Sequence, residues 1–157
     1  MKPIRVLTAA LLASGLIASA MAQGVRPEVG RPLQQASELL KAGKAREALA
    51  KAREADAVGG KNPAEQLMID RMKGAAAQRA GDNAAAIAAF ESAMASGRLS
   101  GAEQAQIAES IAFAYSQQKN FAKAGDWASR AKAAGGNSAS LNQLIAYLQS
   151  QSGDYNQ

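Results

Sequence analysis

A phrase that returns three times at one spacing constrains the fold of this chain more than any other feature. It runs from Gly43 to Ala55 (GKAREALAKAREA), from Gly81 to Ala93 (GDNAAAIAAFESA) and from Lys119 to Ala131 (KNFAKAGDWASRA). Each interval, Gly43 to Gly81 and Gly81 to Lys119, is 38 positions. Self-similarity at a period of this size marks stacked helical repeats, because one helix pair cannot bury its apolar face alone. Stacked repeats also create extended surfaces on which partners dock.

The punctuation between the phrases agrees with helices. Gly24 to Arg31 reads as a short extended lead-in, and Pro32 suits the first turn of a helix, where its missing N–H costs nothing. A first helix to about Ala42 and a second from about Lys44 to Val58 are bounded by Gly43 and by Gly59-Gly60. Asn62, Pro63 and Glu65 form a capping box that opens a third helix, ending near Ala80. Helices follow over about Asn83 to Ala95 and, behind a second box of Ser100 and Glu103, to Gln118. Two more cover about Phe121 to Ala134 and Ser140 to Ser152. Apolar residues recur three and four apart, as in Ile107, Ile111 and Tyr115, and nowhere alternate as in a strand.

Alanine carries most of the apolar content. It favours helix and close helix approach but buries little surface per residue. Stability should therefore rest on the few large seam residues: Leu39, Leu40, Leu49, Leu67, Met72, Ile87, Phe90, Ile111, Phe113, Tyr115, Phe121, Trp127, Leu144 and Leu148.

Residues 1–22 read as a secretion signal. Lys2 and Arg5 precede an uncharged apolar stretch from Val6 to Ala20, and Ala20-Met21-Ala22 gives a cleavage pattern that leaves Gln23 first. At about 15 residues the stretch is short for a membrane-spanning anchor, which needs roughly 20. Without any cysteine the chain has no lipoprotein attachment site, disulfide or thiolate metal site. The expected address is the bacterial periplasm, with no stable membrane insertion after cleavage. Residues 23–31 are the expected lead-in and 32–157 the helical repeat domain.

Removing Lys2 and Arg5 leaves 16 basic against 13 acidic residues, a net charge of +3. Those charges are interleaved, as in Lys44, Arg46, Glu47, Lys51, Arg53 and Glu54, which suits a solvated helix face. A nucleic-acid partner would need a dense basic stripe with stacking aromatics, and that is missing.

The turns and small residues resemble the tetratricopeptide repeat family. The family's Gly-Asp-Tyr type of turn matches Gly43-Lys44-Ala45, Gly81-Asp82-Asn83, Lys119-Asn120-Phe121 and Gly153-Asp154-Tyr155. Its small residues in the second helix of each pair match Ala48, Ala86 and Ala124, then Ala55, Ala93 and Ala131. Those of the first helix match Ala36, Gly74, Ala112 and Ala146. The resemblance implies an all-α fold: a right-handed α-solenoid of antiparallel pairs, about three repeats plus a seventh C-terminal helix. The intervals of 38 exceed the family's period of about 34. The proline expected after a second helix is replaced at Gly60, Arg98 and Gly136. The last turn is followed by only Asn156 and Gln157, so helix seven is either a solvating cap or the edge of a longer array.

No histidine or cysteine is present, which removes the commonest general base, the thiol nucleophile and the usual zinc ligands. Neither catalysis nor a cofactor is expected. In the resembling family, ligands lie on the concave surface of the first helices. Mapped here, that face selects Lys41, Met68, Arg71, Ala75, Arg79, Glu109, Phe113, Ser116, Gln117, Gln143 and Tyr147. Phe113 and Tyr147 are either apolar anchors in that groove or filling between the helices. The family's lysine and asparagine clamp for a C-terminal carboxylate is absent.

The expected role is a non-catalytic periplasmic module that docks a peptide or partner helix. Two readings compete with it: a structural subunit that self-associates through its Ala-rich faces and C-terminal edge, and an enzyme's inactive accessory subunit.

Overall fold

A computed structural model describes residues 24–153. Those residues form seven α-helices and no strand: α1 (Pro27–Lys41), α2 (Ala45–Asp56), α3 (Pro63–Ala80), α4 (Asn83–Ala95), α5 (Gly101–Gln117), α6 (Phe121–Ala133) and α7 (Ala139–Gly153). The leader over 1–22 and the final turn residues Asp154, Tyr155 and Asn156 lie outside the described residues. Among the described residues no helix is long and apolar enough to cross a membrane.

Both capping boxes form. The Asn62 side chain accepts the Glu65 N–H at 2.8 Å, and the Glu65 carboxylate accepts the Asn62 N–H at 3.0 Å. Ser100 and Glu103 make the same reciprocal pair at 3.3 and 2.9 Å. Each box satisfies N–H groups that the first turn of a helix otherwise leaves without partners.

The three turns that begin the repeated phrase close in one way. Lys44 donates its N–H to the Leu39 carbonyl at 2.8 Å, Asp82 to Ala77 at 2.9 Å and Asn120 to Tyr115 at 3.0 Å. The residue before each donor has positive φ: +76° at Gly43, +76° at Gly81 and +59° at Lys119. This is the Schellman closure of a helix end. The sequence period is thus a period in backbone conformation.

One expected boundary is corrected. The lead-in expected over 23–31 is helical from Pro27, and Pro32, expected at a first turn, lies inside α1. Pro27 takes the first-turn place, while Pro32 removes one hydrogen bond to the Glu28 carbonyl, a change that costs about 3 kcal/mol in a helix interior. Tertiary burial outweighs this. Val25, Val29 and Leu33 form a buried cluster with Ala55 of α2 and Ile69 of α3. Burying each such side chain contributes about 1.5–3 kcal/mol.

Each helix packs on its neighbour in sequence, with further contacts between α1 and α3 and between α5 and α7. A larger core cluster continues from Ala36 of α1 to Leu148 of α7. Ile87, Phe90, Ile111, Tyr115, Trp127, Leu144 and Leu148 supply its bulk, as expected from the sequence. Leu39, Leu40, Met72 and Phe121 pack against it partly buried. Phe113, expected among the seam residues, does not belong to it. Ile69, Leu99, Ile107 and Leu141 are buried beyond the expected set.

Most matched small residues sit where helices touch. Ala48, Ala55, Ala93, Ala124 and Ala131 are fully covered, Ala86 nearly so, and Ala36 and Ala112 of the odd-numbered helices likewise. Ala146 of α7 is exposed. In α5 the corresponding Ala112 is buried within the larger core cluster.

Candidate interaction surface

The candidate residues all lie on the odd-numbered helices: Lys41 on α1, Arg71 and Arg79 on α3, Glu109, Phe113 and Gln117 on α5, Gln143 and Tyr147 on α7. They fall into equivalent rows, because Lys41, Arg79 and Gln117 are separated by 38 positions and Phe113 and Tyr147 by 34.

Two of the charges are occupied within the protein. Arg71 is ion-paired with Glu103 at the start of α5, which ties α3 to α5. The Ser100 backbone N–H, joined by the Ser100 hydroxyl and the Arg71 charge, outweighs burial and holds the Glu103 carboxyl below its ordinary value. Glu109 accepts the Ser138 hydroxyl at 2.8 Å and also the Ser140 hydroxyl. Ser138 in turn accepts the Leu141 N–H at 2.9 Å, so one serine both caps α7 and fastens it to α5. Arg71 and Glu109 are therefore struts between successive odd-numbered helices.

The remaining candidates face solvent. Lys41, Gln117 and Gln143 are exposed, and Arg79 is exposed with a long contact of 3.4 Å to the Leu40 carbonyl. Phe113 is 48% exposed and Tyr147 47% exposed, the two large hydrophobic residues that stand out of the core among the described residues. The alternative in which both fill the interior is corrected by this exposure. Tyr147 meets Phe121 edge to face, with centroids 6.0 Å apart and planes at 76°. That contact braces the ring from one side and leaves half of it open. Of the other mapped positions Met68 and Ala75 are half-buried, and Ser116 is buried and so absent from the surface.

A cleft elsewhere carries residues outside the mapped face. α4, α5 and α6 line this open cleft of about 610 Å³, with Trp127 and Tyr115 in its lining. Its sequence signal is the run Lys123, Trp127 and Arg130, spaced four and three on one helix face. Trp127 and Tyr115 are core residues, as expected, and also wall this cleft. Among the described residues no group of three carboxylates, histidines or cysteines converges to hold a metal.

No protein-family model, curated protein or solved structure matches this chain.

Proposed function

We propose that the chain is an exported, non-catalytic interaction module: a right-handed α-solenoid of about three tetratricopeptide-like antiparallel pairs and a seventh helix. Its partner is a protein or peptide that docks across α1, α3, α5 and α7. The observation that carries this reading is the exposure of Phe113 and Tyr147 at equivalent places on α5 and α7. Rigid aromatic rings set among polar side chains are the usual anchors of a protein interface, since they bury much area while losing few rotamers.

The solenoid reading is supported by the contact pattern, in which helices meet their sequence neighbours and, at α1 with α3 and α5 with α7, their next neighbour but one. It is supported too by the identical closures at Gly43, Gly81 and Lys119. The periplasmic address rests on the pattern of residues 1–22.

A photo-crosslinking residue placed at Phe113 in cells tests the docking face. A discrete adduct with an exported protein, lost in a Tyr147→Ala background, is the expected result. Capture of the chain by itself would replace docking with self-association. No adduct at all would remove the face from consideration.

A further inference from the structure

The cleft bounded by α4, α5 and α6 holds four charges, two of each sign, that form no ion pair with one another. Lys123, Asp126 and Arg130 lie on one helix, and Asp126 is three residues after the lysine and four before the arginine. Those spacings ordinarily form ion pairs along a helix. Here they do not. The Lys123 ammonium lies 5.2 Å from the centre of the Tyr115 ring, and the Arg130 guanidinium 4.4 Å from the centre of the Trp127 ring. Asp126 has no hydrogen-bond or ion-pair partner among the described residues. Glu91, across the cleft on α4, accepts only the Tyr115 hydroxyl, at 2.8 Å.

A cation laid on an aromatic face is held in place while its N–H groups keep free directions for an acceptor. The cleft is thus furnished with two positioned donors, two carboxylates and the small part of Trp127 that stays exposed. A purely anionic ligand would meet Asp126 and Glu91, and a purely cationic one would meet Lys123 and Arg130. Both are disfavoured by like charge. A molecule carrying one charge of each sign, with apolar surface between them, satisfies the whole lining. A volume of about 610 Å³ falls in the range of sites for small molecules, about 300–1,000 Å³.

We propose that this cleft binds a short peptide with free termini. Its carboxylate is taken by Lys123 and Arg130, its ammonium by Asp126 and Glu91, and a side chain lies against Trp127. The site is separate from the docking face on the odd-numbered helices and does not depend on it.

The chain contains a single tryptophan, so selectively excited tryptophan emission reports on this cleft alone. The experiment titrates the protein with tri-alanine and with the same peptide acetylated at its N-terminus and amidated at its C-terminus. Free tri-alanine should change the Trp127 emission saturably, and the blocked peptide should not. Arg130→Gln and Asp126→Asn should each weaken the affinity about tenfold or more, the effect of losing one charge-assisted contact. Absence of a saturable change, equal binding of the blocked peptide, or variants that bind like the parent would each overturn the proposal. Should either variant melt at lower temperature than the parent, the comparison of free with blocked peptide on the unaltered protein decides alone.

Discussion

Gly74 shows how one residue's identity follows from its surroundings. It lies inside α3, where glycine is about 1 kcal/mol less favourable than alanine. A Cβ built at Gly74 would stand 2.3 Å from the Phe90 ring of α4, so the ring packs directly on the α3 backbone. Gly74→Ala should therefore lower stability by about 1–3 kcal/mol despite its better helix propensity. A thermal melt checks this, and an unchanged or higher midpoint would contradict it. Matching Gly74 to Ala36 and Ala112 revealed that a small residue belongs there, but not which ring requires it. Asp70 marks a different limit. It is buried, and it accepts Ser92 Oγ at 2.6 Å and Gln66 Nε2 at 3.0 Å. The sequence gives no sign of this, because Ser92 is 22 positions away on another helix.

At the scale of elements, the three matched turns do the same work with different residues. Gly43 and Gly81 enter the left-handed region at little steric cost, whereas Lys119 adopts φ +59° with a side chain attached. That conformation costs an L-residue about 1–2 kcal/mol, and glycine gives back part of the gain through its larger unfolded entropy. Lys119→Gly is expected to raise stability by about 0.5–1 kcal/mol, measured as a higher denaturation midpoint without a change in slope. The helices that follow differ in their caps. Asp82 accepts the Ala85 N–H at 3.1 Å and Asn120 the Lys123 N–H at 3.3 Å. Lys44 has nearly the same backbone angles and makes no side-chain cap. Lys44→Asp should therefore add a cap to α2 and stabilise the protein by about 0.5–2 kcal/mol. A midpoint at or below that of the parent would rule this out.

At the scale of the whole molecule, carboxylates fasten helices to one another. Glu65, 1% exposed, accepts the Arg26 backbone N–H at 3.3 Å and Arg26 Nε at 3.1 Å as well as its own capping partner. Arg26 also donates to the Gly59 carbonyl at 3.0 Å, so the start of α1, the loop after α2 and the start of α3 share one clasp. The Asn62 backbone N–H, together with Arg26, outweighs burial and holds the Glu65 carboxyl below its ordinary value. Burial opposes the charge on Asp56, but hydrogen bonds from Lys73 and Gln66 and the charges of Lys73 and Lys61 together lower its value as well. Glu103 behaves alike. A carboxyl whose folded value lies below its unfolded value stabilises the protein above the unfolded value, about pH 4, and loses that contribution as pH falls through the folded value. Melting temperature should therefore fall progressively as the pH is lowered from about 4. Glu65→Gln should show a lower midpoint at neutral pH and a shallower fall. A parent midpoint that stays level or rises on acidification would count against this account.

The sequence by itself determined the helices and most of their punctuation, the start of α1 excepted. Both capping boxes, the end of α3 at Ala80 and the whole of α4 follow from hydrogen bonds within about five residues and from backbone angles that glycine adopts cheaply. The tertiary structure decided what each side chain is used for. It placed Pro32 inside a helix, buried Glu65 beneath Arg26, engaged Arg71 and Glu109 between helices, and left Phe113 and Tyr147 open. It also brought Glu91 and Tyr115 to the cleft beside Trp127. These partners are 24 to 39 positions apart in the cases of Tyr115 with Glu91 and Arg26 with Glu65. A local pattern fixes which backbone groups pair within a helix, but burial, exposure and the pairing of charges depend on neighbours that only the packed chain supplies.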